Sequence, residues 1–460
     1  MNTEQAGLTR INGSEDSIRA TINTLPVELL TEIFAYFSPT SSNYSISPLL
    51  TFVSVCRHWR QTSFNASFLW STIALVNPRP HRLPMVRQWL ERSKNYPLTL
   101  KLEVHPTTVK ARAEWQAISK TMEEALSLLV QHIHRWRSID IQMESFPIRS
   151  GSPLLKLPSS SDAAPLLEQV NVYAGESFST EGAEQFWDTI RAYPNVLGVL
   201  WETDLEEPES CFPELIATPW NRLTHLSSQF FVDDTFLDFL SRCHSLEELN
   251  ITSLELSDEP LHFGERFTLP RLRKLSMVSY TPEAAIPLLH HLDAPLLDDL
   301  YLGEWHCPDA WEDMLQRSGC RLKTLLVSDR SFTDSEVPQW LLFPASTSVE
   351  ELTVYLWCPA DTILRALTWG DTKTKRLPSL RKLTMSVVAG FTGGLLKSML
   401  SSRIHSDTNV NVLEDVNFTF GLGKSSGGIG DDLTFLDELR AGGGLDVTYN
   451  ESRIVPTCTL

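Results

Sequence analysis

Leu272-Arg273-Lys274-Leu275-Ser276-Met277 carries apolar residues at its first, fourth and sixth places and polar residues between them. The last three places alternate with period 2, which is the signature of a half-buried strand. The same frame returns as Leu246-Glu247-Glu248-Leu249-Asn250-Ile251, Leu297-Asp298-Asp299-Leu300-Tyr301-Leu302 and Leu322-Lys323-Thr324-Leu325-Leu326-Val327. It returns again as Val349-Glu350-Glu351-Leu352-Thr353-Val354, Leu380-Arg381-Lys382-Leu383-Thr384-Met385 and Leu413-Glu414-Asp415-Val416-Asn417-Phe418. Weaker copies begin at Trp136, Leu167, Leu197 and Leu223. The copies are spaced by about 23 to 33 residues, a period of repeat architectures.

Between the copies lie short helical patterns: residues 234–240, 282–292, 309–317 and 395–400. A proline often precedes the strand, as in Leu269-Pro270-Arg271-Leu272 and Leu377-Pro378-Ser379-Leu380. Strand then helix, repeated, predicts parallel strands joined by right-handed crossovers, each unit burying its apolar face on the next. The frame resembles an irregular leucine-rich repeat, without the asparagine that family places after the strand. The resemblance implies a curved solenoid. An open α/β sheet without true repeats is the competing architecture. Strand alternation assigns the polar places to one sheet face, a candidate surface for a target protein: Glu248, Asn250, Lys274, Ser276, Asp299, Tyr301, Glu351, Thr353 and Lys382, with Thr324, Leu326 and Thr384 beside them.

Upstream, Pro26 suits the first turn of a helix and Glu28 the positive end of its dipole. Leu29, Ile33 and Phe37 form one apolar stripe, with Leu30 and Phe34 on the next, predicting a helix to about Phe37. Residues 38–47 read as a loop. Pro48 opens a second helix, with Leu49, Phe52, Val53, Cys56 and Trp59 on one side and Arg57 and Arg60 in its last turn. Leu25-Pro26, Glu28-Leu29-Leu30, Ile33-Phe34, Val55-Cys56-Arg57, Trp59-Arg60 and Leu69-Trp70 stand in the order of an F-box, and this segment resembles one. Trp89 to Ser93, Pro97 to Leu102 and Trp136 to Ile139 extend the similarity to fungal F-box proteins. The resemblance implies that Leu25, Pro26, Leu29, Ile33, Val55, Cys56 and Trp59 dock on a Skp-type adaptor or support that face. Through it the chain would join a cullin-RING ubiquitin ligase. The rest would be a non-catalytic receptor for an unknown target protein. The alternatives are a repeat scaffold working outside the ligase and an α/β hydrolase or transferase.

The expected organisation is a disordered tail at 1–20, an F-box at 21–77, a helical linker with the first repeat-like units at 78–145, an exposed loop at 146–165, and the repeat solenoid at 166–460. A helix over 107–136 would carry Trp115, Ile118, Met122, Leu126, Leu129 and Ile133 on one side.

Composition limits the function classes. A net charge of -18 opposes binding to phosphate backbones and anionic membranes, so no nucleic-acid or membrane partner is expected. No apolar run of about 18 residues or more is present, and residues 1–20 lack the apolar stretch of a secretory leader. Seven scattered cysteines with no Cys-x-x-Cys fit reduced thiols in the cytosol or nucleus. Gly423-Lys424-Ser425 lacks the earlier glycine of a phosphate loop, where Phe418 stands. His132-x-His134, His290-His291, Cys243-His244 and His306-Cys307 lack matching second ligand pairs. No catalytic residue, metal or cofactor is therefore expected.

Overall fold

The computed structural model describes residues 25–36, 47–105, 112–143, 148, 151–173, 177–202, 220–257, 260–262, 264–279, 282–303, 307–329, 337–369, 376–388, 390–404, 413–421, 430–442 and 445–452. The expected tail at 1–20, most of the loop at 38–47 and the Gly423-Lys424-Ser425 segment lie outside the described residues. Contacts divide the chain into two compact units, 1–196 and 197–460. The fold is mixed α/β: an N-terminal helical region followed by parallel strands and helices in solenoid-like order.

Among the described residues the first unit begins with three helices, α1 (Val27–Tyr36), α2 (Ser47–Val55) and α3 (Arg57–Asn65), and a 3-10 turn at Ser67–Trp70. Then come β1 (Thr72–Val76), α4 (Leu83–Arg92), β2 (Leu98–Glu103), α5 (Arg112–Val130), β3 (Trp136–Gln142), β4 (Gln169–Tyr173) and α6 (Thr180–Ile190). Strands β1 to β4 pair in chain order, all parallel. Ile118, Met122, Leu126 and Leu129 on α5 are buried, as the spacing predicts, and α5 lies against α4 and a 3-10 turn at Pro153–Lys156.

That turn corrects one expectation. Residues 146–165 were expected to form an exposed loop, but Ser152, Leu154, Leu155, Leu157 and Ala164 are buried. Pro153, Pro158 and the serine run mark an irregular backbone, and the leucines among them still fill the space beneath α5 and α6.

The second unit repeats strand and helix. It holds β5 (Gly198–Glu202), β6 (His225–Val232), α7 (Asp234–Arg242), β7 (Glu248–Leu256), β8 (Phe267–Thr268), β9 (Lys274–Ser279), α8 (Pro282–His291), β10 (Leu292–Asp293) and β11 (Asp299–Gly303). It continues with α9 (Pro308–Ser318), β12 (Thr324–Asp329), β13 (Glu351–Leu356), α10 (Asp361–Leu367), β14 (Lys382–Val387), α11 (Leu395–Ile404), β15 (Asp415–Gly421), α12 (Gly430–Gly442) and β16 (Asp446–Ser452). Each long strand pairs in parallel with the next long strand in the chain; β8 and β10 form a separate two-stranded pair.

The register explains the recurring leucines. Leu226, Leu249, Leu275, Leu300, Leu325, Leu352, Leu383, Val416 and Val447 stand side by side across the strands, all buried. Burying such a side chain contributes roughly 1.5–3 kcal/mol, so stability accumulates by stacking. The chain enters these strands through one recurring turn. The N–H groups of Leu272, Leu297 and Leu380 donate to the carbonyls of Leu269, Ala294 and Leu377 at 3.2, 3.2 and 3.3 Å. Pro270, Pro295 and Pro378 fill the second place of that turn, where their fixed φ fits. A backbone turn thus does the work of the missing asparagines.

Helix ends obey local rules. Asp233 caps α7 by accepting from the Phe236 N–H at 2.6 Å. Gly319, at φ 61, ends α9 and returns its N–H to the Leu315 carbonyl at 3.1 Å. Buried arginines close other ends. Arg403 donates to the carbonyls of Leu367 (2.8 Å), Arg376 (2.9 Å) and Leu377 (3.2 Å) and stacks on Trp369. Arg135 donates to the Tyr96 carbonyl and to Ser93 Oγ in the same manner. Burial pushes the Arg403 guanidinium down to about 9, so the three carbonyls are what hold its charge in place.

Candidate functional site

The helical head is built around Phe34. Its ring stacks on Phe52 at 4.5 Å between centroids and meets Trp59 edge-on at 5.2 Å. Leu30, Phe34 and Phe52 are buried, so α1 turns the Leu30/Phe34 stripe inward. The neighbouring stripe stays out. Leu29, Ile33 and Tyr36 are 46%, 38% and 85% exposed; Val27, off this stripe, is 49% exposed and Val55 at the end of α2 is 52% exposed. Leu29, Ile33 and Tyr36 follow one another at helical spacing, so they share one exposed face of α1.

The segment read as one helix from Pro48 to Arg60 is two. Cys56 adopts extended backbone (φ -155, ψ 174), and its Sγ accepts from the Trp59 N–H at 3.4 Å, capping α3. Arg57 and Arg60 therefore stand in the first turns of α3, not in the last turn of α2. Arg60 still serves the end of α2: its Nε donates to the Val53 carbonyl at 2.7 Å. The break gives no sequence warning, because neither Gly nor Pro marks it.

The seven residues predicted to meet an adaptor divide accordingly. Pro26, Leu29, Ile33 and Val55 lie exposed; Leu25, Cys56 and Trp59 are half-buried. Cys56 and Trp59 act as cap and packing, so they hold the surface in place. The Leu25 carbonyl lies 3.4 Å from His58 Nε2, tying the start of α1 to α3. Val27 and Tyr36 were not on the predicted list. Tyr36 sits three residues after Ile33 and seven after Leu29, a helical spacing that could have shown it.

Behind the head, Trp70 is buried and donates from Nε1 to the Ser63 carbonyl at 2.8 Å. The Arg92 guanidinium covers Phe64 at 4.2 Å and Trp70 at 4.4 Å, a cation–π clamp between head and α4.

The sheet face of the second unit forms the other candidate surface. Glu248, Lys274, Asp299, Thr324, Glu351 and Lys382 stand in one register row. Asn250, Ser276, Tyr301, Leu326, Thr353 and Thr384 stand in the next. Every predicted face residue is thus on the predicted face, though Ser276 is buried between its neighbours. Lys382 Nζ pairs with Glu351 Oε1 at 2.6 Å. The Asp299 carboxyl is held above the usual range, chiefly by burial, with Lys274 opposing that shift. Gly303 lets the Val278 side chain close in beside Tyr301: a Cβ there would lie 2.7 Å from Val278 Cγ2 and 3.4 Å from the Tyr301 hydroxyl.

The remaining clusters are structural. Cys243 and Cys320 are buried thiols raised to about 12 and about 11 by burial, which suits packing and not nucleophilic attack. Among the described residues, no three His, Cys, Asp or Glu side chains are placed to hold a metal ion. Among them too, no helix is long and apolar enough to cross a membrane.

No curated protein matches the chain. Residues 22–76 match the F-box-like domain family, a span that takes in the three-helix head and ends with β1.

Proposed function

We propose that this protein is the substrate-recognition subunit of a Skp–cullin–F-box ubiquitin ligase. The head at 21–77 docks on the Skp-type adaptor, and the strand-and-helix repeats receive a target protein. One observation carries the reading: Leu30, Phe34 and Phe52 complete the head's own core, while Leu29, Ile33 and Tyr36 on the next stripe of α1 stay exposed. An F-box-like domain generally serves such adaptor-bound receptors. Catalysis then comes from position. A held target presents its lysines to the charged conjugating enzyme at high effective concentration, and this chain performs no bond chemistry. The setting is the cytosol or nucleus, where adaptor and cullin are found.

The test is co-purification of the Skp-type adaptor with wild type and with L29D/I33D. Both positions are partly exposed and lie outside the Leu30, Phe34 and Phe52 core, so the fold should survive while the adaptor is lost. Proteins kept by both forms are candidate targets. Equal adaptor recovery from the two forms would overturn the ligase reading and leave a repeat scaffold acting alone.

A further inference from the structure

The apolar rows of the second unit cannot tell one repeat from another. Leu249, Leu275, Leu300, Leu325, Leu352 and Leu383 are the same residue at the same register place. Such rows would stabilise any stacking order, including one that skips a repeat. Repeat proteins are prone to that kind of misassembly.

The two residues at the start of each strand differ. They are Glu247-Glu248 at β7, Arg273-Lys274 at β9, Asp298-Asp299 at β11, Lys323-Thr324 at β12, Glu350-Glu351 at β13, Arg381-Lys382 at β14 and Glu414-Asp415 at β15. The sign alternates without exception across these seven neighbouring strands. The backbone links each dyad to the last. Arg273 N–H donates to the Glu247 carbonyl, Asp298 to Arg273, Lys323 to Asp298, Glu350 to Lys323, Arg381 to Glu350 and Glu414 to Arg381, all within 2.7–3.0 Å. The side chains meet as well. Arg273 and Lys323 reach Asp298 at 3.6 and 3.7 Å, Arg381 Nε donates to Glu414 Oε1 at 2.9 Å, and Lys382 pairs with Glu351. The first unit holds one such pair, Arg137 with Glu168 at 2.8 Å across β3 and β4.

We propose that these dyads are a neighbour-specifying code: alternating charge along the leading edge of the sheet selects the next repeat and rejects the one after it. Skipping one repeat places like sign on like, as β11 against β13 or β12 against β14. Like charges directly opposite on adjacent strands destabilise, and opposite charges stabilise. Exposed single pairs contribute little, whereas a connected row acts as a network. The code separates the two roles of the interface: leucines supply adhesion, and charges supply order.

The row has two faults, and they make the proposal testable in the direction of gain. Thr324 stands uncharged between Asp299 and Glu351, where the pattern calls for a cation. Asp446 on β16 stands beside Asp415, acid on acid. The raised Asp299 carboxyl agrees with the first fault, since only Lys274 faces it from a neighbouring strand with opposite sign.

The experiment compares full-length variants by urea midpoint and by amide exchange across β11–β16, at low salt and at about 1 M salt, where the Debye length falls to about 3 Å. T324K and D446K are expected to raise the midpoint and slow exchange severalfold at low salt, while T324Q does neither. In T324K the Asp299 carboxyl should titrate at lower pH, read by NMR. Inverting one dyad, R381E/K382E, turns both flanking interfaces repulsive and should speed exchange of β13–β15 on the order of tenfold to a hundredfold. Adding E414K/D415K restores opposite signs across β14 and β15, gives Asp446 a basic neighbour, and should recover much of the loss despite the two further substitutions. High salt should collapse all these differences. The proposal is overturned if T324K and D446K bring no gain, or if stability tracks the number of substitutions instead of the number of like-charge interfaces. The two gain variants decide the matter even where the inverted chain fails to fold.

Discussion

Truncating Leu29 and Ile33 to alanine separates docking from folding, because the structure leaves these side chains partly in water. Leu29 is 46% and Ile33 38% exposed. Fully burying such a side chain is worth roughly 1.5–3 kcal/mol. Covering the exposed fractions is then worth about 0.7–1.4 kcal/mol for Leu29 and about 0.6–1.1 kcal/mol for Ile33. Together they carry about 1.3–2.5 kcal/mol of adaptor binding, and a factor of ten in Kd is about 1.4 kcal/mol. L29A/I33A should therefore weaken the adaptor about ten- to sixty-fold. Titration calorimetry with purified adaptor reads this directly. The covered parts of both side chains are lost too, so the thermal midpoint of the free protein should fall, but the head should stay folded because Leu30, Phe34 and Phe52 are untouched. F34A is the control: Phe34 is fully buried against Phe52 and Trp59, so its loss should cost the head about 3–5 kcal/mol and abolish binding by unfolding it. A less than twofold change for L29A/I33A, with the fold intact, would refute the assignment of this stripe to the adaptor.

Two further outcomes test the scaffold. R403M should destabilise the second unit by about 3–5 kcal/mol, because the Leu367, Arg376 and Leu377 carbonyls lose their buried donor; urea unfolding measures it, and a loss near zero would mean water replaces the guanidinium. Asp140 has its carboxyl raised mainly by burial, against the pull of Lys101 and with Glu103 adding to it, and its Oδ1 is buried without a partner. A raised acid costs stability once pH exceeds its folded pKa, and the cost fades as pH falls toward the unfolded value. D140N should then be at least as stable as wild type at pH 7, with the advantage shrinking in acid. An advantage that grows in acid would contradict the cause given.

Elements were legible where a physical period was intact. The leucine frame located the long strands from β3 to β15, though not the short β8 and β10, because burial of one sheet face demands that frame. Strand β16 escaped notice: Gly444 occupies the first apolar place, and Val447-Thr448-Tyr449 keeps only the alternation. Strand β1 was hidden inside the head pattern, following directly on Leu69-Trp70. The Cys56 break was invisible because it rests on a side-chain sulfur cap and an extended backbone, which leave no period. On α1 both apolar stripes were visible. Which one faces inward depended on Phe52 and Trp59 arriving from other helices, so sequence spacing alone could not choose. The dyads were fully visible as residues, and their alternation gained meaning only once the register set them side by side.

That register redistributes the candidate target-binding residues. Glu248, Lys274, Asp299, Glu351 and Lys382 sit in the charged row, where each faces an ionic neighbour on at least one adjacent strand. A residue engaged in specifying its neighbour is constrained in sign. Asn250, Tyr301, Leu326, Thr353 and Thr384 carry no such constraint and stand one row further along the strands. Tyr301 and Leu326 are adjacent there and half-buried. Aromatic anchors carry a large share of protein–protein affinity. The row free to vary is thus also the row with an anchor, which is what a receptor needs if its targets are to change while its stacking order stays fixed.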